Sequence, residues 1–340
     1  MRNIRECNVT VVGGCGFLGS HLVKHLIEDR GCNVLVIDNL SAGKKEFLHK
    51  DAKFEHHDIT GSEHYLLNLL KHHEIQYVFN YAAEPYIPVS FKRPLHVCDV
   101  NFMGALKVIN AAHEAGCEGI LQVSSAEIYG GLSQKNTDAM AEKFTMRLNE
   151  KTPVTPHSSY GASKAAIDAL IQVRWKEAQV PCIALRQFNV VGERETRPYV
   201  IPEIISQLNE CREYHRMVNT AVVKLGNNSF RDFQYAGDAV RMATELLEKG
   251  SWGECYNMGS QDGVKIYDLA QMLGKIMGFE KVTIQQDPER IRPWEIWHLQ
   301  SCNDKLYSVI ETRPTVSLQE ALQRTIADFY SSGNKWCWEK

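Results

Sequence analysis

Tyr160-Gly-Ala-Ser-Lys164 sets a phenol and an ammonium four residues apart near the start of a predicted helix over 158–179. That spacing puts both on one helix face, within reach of a common ligand. An ammonium beside a phenol favours the phenolate, so the tyrosine can take a hydroxyl proton while hydride leaves the same carbon. Ser125 closes the apolar run 119–125, read as a strand, and from its carboxyl end can hydrogen-bond the same substrate oxygen. The three residues predict oxidation of an alcohol, which needs a hydride acceptor.

The stretch Val9 to Ser20 supplies a site for one. An apolar strand there runs into Gly13, Gly14, Gly16 and Gly19 and then into a helix. Gly14, Gly16 and Gly19 fit G-x-G-x-x-G, and Gly13, Gly16 and Gly19 fit G-x-x-G-x-x-G. Gly13 makes the turn out of the strand, Gly16 leaves room for a pyrophosphate, and Gly19 lets the helix sit close on the sheet. The free N–H groups at the helix start then face the phosphates. A second apolar strand, 33–38, ends in Asp38, nineteen residues after Gly19, where a carboxylate meets the adenosine ribose hydroxyls. Asp38 repels a 2′-phosphate and so selects NAD over NADP, a preference that the nearby Lys44 and Lys45 do not reverse.

Further strands are predicted at 53–57, 77–83 and 182–186, and helices at 18–29 and 101–115. Their alternation with the elements above predicts an α/β fold, a doubly wound parallel Rossmann sheet with ligands at the carboxyl ends of its strands. Beyond about residue 189 the pattern loosens into shorter elements (202–211, 222–225, 238–249, 266–277), read as a smaller C-terminal α/β substrate lobe. The expected division is a Rossmann domain over 1–188, completed by parts of 230–260, and a lobe over 189–340. The tail Gly333-Asn-Lys-Trp336-Cys-Trp338 is read as surface packing or a subunit contact.

Composition narrows the class. With 340 residues, 44% hydrophobic, 23% charged and a formal net charge of -3, the chain is an ordinary globular protein with no electrostatic reason to bind nucleic acid or a membrane. No apolar leader precedes the first strand and no run reaches bilayer-spanning length, so a cytoplasmic location is expected. The ten cysteines contain no C-x-x-C pair and no zinc spacing, and the His56-His57 and His72-His73 pairs lack acidic partners at ligand spacing. No metal is expected.

Taken with Asp58-Ile59, Ala82-Ala83, Asn101-Phe-Met-Gly104, Ser124-Ser-Ala-Glu-Ile-Tyr-Gly130, Arg186-Gln-Phe-Asn189, Arg231-Asp-Phe233 and Arg292-Pro-Trp-Glu295, these motifs resemble the extended short-chain dehydrogenases/reductases that modify nucleotide sugars. The resemblance covers nearly the whole chain. It implies NAD contacts at Gly13, Gly16, Phe17, Leu18 and Gly19, at Asp38 and Asn39, at Asp58 and Ile59 beside the adenine, at Ala82, Ala83 and Asn101, and at Tyr160 and Lys164. For the nucleotide diphosphate sugar it implies Glu84, Ser125, Asn189, Arg231 and Arg292, the two arginines clamping the diphosphate through planar guanidinium groups. It also implies a homodimer built from two long helices per subunit.

The same resemblance gives Glu127 a task. A 4-keto group acidifies the C5–H, and a carboxylate beside C5 can remove that proton and drive loss of the C6 hydroxyl. Glu127 stands where family dehydratases carry such a glutamate, which predicts a dehydratase acting by C4 oxidation, elimination and hydride return. The thirty-one positions from Tyr129 to Tyr160 agree with the long loop of that subgroup. Ala126, however, replaces the aspartate that serves glucose dehydratases as acid. Uronate decarboxylation and epimerisation therefore stay open, as does a non-catalytic NAD-binding module, which the intact Ser125, Tyr160 and Lys164 argue against. Asn80, Val191 and the loop Glu84-Pro-Tyr-Ile-Pro88 also depart from the family pattern.

Overall fold

A computed structural model of the chain describes residues 2–133, 147–195, 198–214, 219–291, 294–334 and 336. In the first half, runs rich in β-branched and aliphatic residues form β1 (Asn8–Val12), β2 (Asn33–Asp38), β3 (Lys53–His56), β4 (Tyr77–Asn80), β5 (Gly119–Ser125) and β6 (Cys182–Gln187). The second half adds β7 (Asn189–Val191), β8 (Thr220–Leu225), β9 (Phe230–Tyr235), β10 (Cys255–Met258), β11 (Gly263–Lys265), β12 (Lys281–Gln286) and β13 (His298–Leu299).

Seven strands pair in parallel in the order β10-β6-β5-β4-β1-β2-β3, the doubly wound sheet that the sequence predicts. Strand order reverses between β1 and β4, so a crevice opens there at the carboxyl ends. Helices Phe17–Glu28 and Ala236–Lys249 cover one face with Leu22, Leu26, Val240 and Leu246. Helices Glu63–His72, Ala105–Glu114 and Ser159–Ala178 cover the other with Leu66, Ile109 and Ile167. With both faces covered, β1 and β5 are buried almost throughout instead of alternating.

Two elements differ from expectation. The predicted strand 77–83 stops at Asn80, whose amide donates to Gln122 at 2.7 Å and accepts from Ala82 N–H at 3.2 Å, turning the chain so that Ala82 and Ala83 lie beyond the strand. The helix predicted from residue 101 opens with a π-helical turn, Asp99–Gly104, before continuing as Ala105–Glu114. Such turns concentrate at functional sites.

In the remaining lobe β9 pairs with β7 and β13 in parallel and with β11 antiparallel, while β8 pairs with β12. Its core includes Ile204, Leu208, Leu269, Leu273, Leu322 and Phe329. Trp336 joins this core and is not a surface residue: it is 2% exposed, stacks on Phe329 at 4.6 Å and donates from Nε1 to Ser206 Oγ at 2.6 Å. Trp338 lies outside the described residues. Trp336→Ala is expected to cost about 3–5 kcal/mol, the usual range for deleting a buried large aromatic, as measured by denaturant unfolding.

Candidate active site

The glycine loop leaves β1 at Gly13, where φ is +80° and a Cβ would stand 2.7 Å from Ala82 N. At Gly19 a Cβ would be 2.0 Å from Gly13 O, so only glycine lets the helix dock on the loop. Helix Phe17–Glu28 begins with no side-chain cap and no acid in its first turn, which leaves its first N–H groups to an anion. Asp38, at the end of β2, accepts from Cys15 N–H at 2.9 Å and Leu40 N–H at 2.8 Å; burial nevertheless pushes its carboxyl above the ordinary value. Asn39 donates to Asp58 at 2.7 Å and joins the ends of β2 and β3.

These groups open onto a cavity of about 840 Å³. Gly13, Gly16, Phe17, Leu18 and Gly19 line it, as do Asp38, Asn39, Asp58, Ile59, Ala82 and Ala83. Ser125, Glu127, Tyr160, Lys164, Asn189 and Arg231 line the same cavity. Asn101 and Glu84 are not on its wall. The Asn101 amide accepts from Glu84 N–H at 2.8 Å and donates to Glu84 O at 3.1 Å, and the Glu84 carboxylate accepts from Tyr86 N–H at 3.2 Å. Asn101 thus tethers the 84–86 loop from behind, where the sequence puts it against the cofactor. Arg292 lies outside the described residues.

Helix Ser159–Ala178 starts at Ser158, whose Oγ accepts from Gly161 N–H at 3.0 Å, and this cap sets Tyr160 on the first turn. Tyr160 hydrogen-bonds Ser125, which in turn accepts from Glu127 N–H at 3.2 Å. Burial pushes the Tyr160 phenol up to about 12; the bond to Ser125 opposes this, and the charges of Glu127 and Glu84 add to it. The expected lowering by Lys164 is not seen. Its Nζ donates to Val123 O at 2.9 Å and stands 5.9 Å from the Tyr160 ring centroid. Burial brings Lys164 down to about 8, against the attraction of Asp168. Because the unfolded chain keeps this proton up to about pH 10.5, the contribution of Lys164 to stability rises with pH between about 8 and 10.5.

Asp168 was missed in the sequence, although Tyr160, Lys164 and Asp168 repeat at four-residue spacing on one helix face. It accepts from Arg186 Nε at 2.6 Å, and Arg186 also donates to Tyr129 Oη at 2.7 Å. Arg186 therefore stands behind the wall, and of its motif Gln187, Phe188 and Asn189 reach the cavity. Asp168→Asn leaves a buried guanidinium without its charge partner, so about 3–5 kcal/mol of stability should be lost in denaturant unfolding. Its second effect is on Lys164, whose proton should leave at a pH below about 8, visible as an alkaline limb of activity moved to lower pH.

Arg231 is held on the wall by Glu295 at 2.8 Å and by Ile296 O at 2.6 Å. Any phosphate it meets competes with that carboxylate. Two buried acceptors on the wall, Gln187 Oε1 and Asn189 Oδ1, have no hydrogen-bond partner among the described residues, a state that buried polar atoms rarely keep. Tyr86, Tyr199 and Glu195 also line the cavity. No spacing signal marks them, because they sit on loops that only the fold brings together.

Residues 9–259 match the family described as the NAD dependent epimerase/dehydratase family. The chain is 28% identical over 339 residues to the dTDP-D-glucose 4,6-dehydratase of Homo sapiens, covering 96% of this chain and 91% of that protein. The UDP-glucose 4-epimerase of Thermotoga maritima, solved with UDP-glucose, aligns with a TM-score of 0.83 at 26% identity, over 96% of this chain and 99% of the other. That of Thermus thermophilus, solved with NAD, gives 0.81 at 25% identity over the same shares.

Proposed function

The chain belongs to the NAD dependent epimerase/dehydratase family, and from that premise we propose that it is a nucleotide-sugar dehydratase that oxidises C4, deprotonates C5 and expels water. The observation that carries this reading is Glu127: it lines the cavity beside Ser125, its N–H is tied to the Ser125 hydroxyl, and its charge bears on Tyr160. A base for C5 is thereby within reach of the groups that handle the 4-oxygen.

The residues fit NAD. The positive φ of Gly13, the contact at Gly19, the uncapped helix start and Asp38 form a cradle that side chains would fill. When bound, NAD supplies reversible acceptance of hydride from the sugar. The rest is done by the chain. Tyr160, as phenolate, takes the proton of the 4-hydroxyl, and Ser125 orients that oxygen. Lys164 contributes positive charge near the phenol and the nicotinamide ribose. Asn189 and Gln187 offer their unpartnered oxygens to sugar hydroxyls, which are donors. Arg231, released from Glu295, meets the diphosphate, with Arg292 as its expected second arm. A homodimer is part of this proposal, supported by Leu95, Met103 and Val173, apolar residues exposed along the segments Pro94–Glu114 and Ser159–Ala178. No helix among the described residues is long and apolar enough to cross a membrane.

The test is incubation with UDP-, dTDP-, GDP- and CDP-sugars followed by product mass. Loss of water supports the dehydratase, and loss of carbon dioxide would replace it with a decarboxylase. An unchanged mass with inverted stereochemistry would make it an epimerase, the second reading, favoured by the buried methyl of Ala126 where an acid is missing.

A further inference from the structure

Elimination of water needs a proton for the leaving hydroxyl, and Ala126, 1% exposed, has none to give. We propose that Glu195 delivers it, as the general acid of the proposed dehydratase. Glu195 lines the cavity, is 5% exposed, and has an Oε2 with no hydrogen-bond partner among the described residues. Its carboxyl accepts one backbone N–H, from Gly192, and no described cation pairs with it. A carboxyl so placed is held uncharged, because burial penalises the carboxylate and one neutral donor does not offset that; its pKa is raised well above the ordinary value. A neutral carboxyl is a proton donor. Glu195 is then the acid, and Glu127, whose charge bears on Tyr160, the base.

The chain leading into Glu195 is anchored at residues 193 and 194. His21 Nε2 donates to Glu193 O at 2.8 Å and Tyr235 Oη donates to the Glu193 carboxylate at 3.0 Å. Arg194 takes the left-handed conformation at φ 65° and donates its N–H to Asp328 at 2.8 Å. A non-glycine residue held there by such contacts marks a loop whose shape is imposed by its surroundings. The next residue is thereby positioned, as an acid must be.

The C5–H bond breaks, its proton goes to Glu127 and its electron pair forms the C5–C6 double bond. The C6–O bond breaks, and the departing hydroxide takes the proton of Glu195 and leaves as water. Tyr199 lies within electrostatic reach of both Tyr160 and Glu195. The proton that Tyr160 took from the 4-hydroxyl equals in number the one that Glu195 gives, so both groups are reset with no net proton consumed.

The experiment compares wild type and Glu195→Gln on dTDP-glucose and UDP-glucose and on their 6-deoxy-6-fluoro analogues. Water loss should slow on the order of 10²–10⁴-fold in the variant, while exchange of the C5 proton with deuterated solvent persists. The deficit should shrink on the fluoro analogue, whose leaving group needs less protonation; an equal deficit on both would mean a positioning role and overturn the proposal. Infrared difference spectra should show a protonated-carboxyl stretch lost in Glu195→Gln, and loss of a carboxylate band would equally overturn it. If wild type loses no water from either sugar, the dehydratase reading fails and takes the acid role with it. If wild type and variant lose water equally, only the acid role fails.

Discussion

Tyr160→Phe is expected to abolish oxidation at C4, slowing it by about 10²–10⁴-fold, while NAD binding survives. The phenol oxygen is the only group lost, and its neighbours Ser125 and Lys164 stay in place. The glycine loop and Asp38 do not depend on it. The measurement is the absorbance of reduced cofactor on rapid mixing with a nucleotide sugar, with bound NAD quantified separately. Normal cofactor reduction in the variant would remove Tyr160 from the mechanism. The pH dependence has a definite sign. Burial holds the phenol at about 12, so the rate should rise with pH as phenolate forms, and the profile should bend down once Lys164, at about 8, loses its proton. Those two values cross in the wrong order for an efficient pair. A bound cationic nicotinamide ring would lower the pKa of the phenol, because a nearby positive charge favours the phenolate.

Glu127→Gln separates the two halves of the reaction. Water loss should fall by about 10²–10⁴-fold because the C5 proton has lost its acceptor. Oxidation at C4 should continue and even become easier, since the Glu127 charge is one of the forces raising the Tyr160 pKa and glutamine removes it. Reduced cofactor should therefore accumulate without a product lighter by water in the mass spectrum. Unimpaired water loss in this variant would show that another group is the base.

Much of the architecture could be read from local pattern. Short runs rich in Val, Ile and Leu became the parallel strands β1, β2 and β5, because a sheet covered on both faces buries nearly every side chain. The glycines and Asp38 could be read for the same kind of reason: a turn, a close approach and a strand end are conditions on a few adjacent residues. Tyr160 and Lys164 needed only helical spacing.

What stayed hidden depended on partners far away in the chain. Arg231 meets Glu295, sixty-four residues on, and Trp336 meets Ser206 across 130. Asn101 holds the backbone of Glu84 through both ends of its amide, a contact that no local spacing announces. The sequence by itself determined the doubly wound sheet, the glycine cradle and the placing of Tyr160 and Lys164 on one helix, since each follows from short-range spacing and hydrophobic period. Only the tertiary structure decided which way each charge leans. Burial, not the neighbouring ammonium, governs the Tyr160 phenol, and burial likewise raises the pKa of the Glu195 carboxyl on the cavity wall. Desolvation and long-range pairing exist only once the chain has closed around the site.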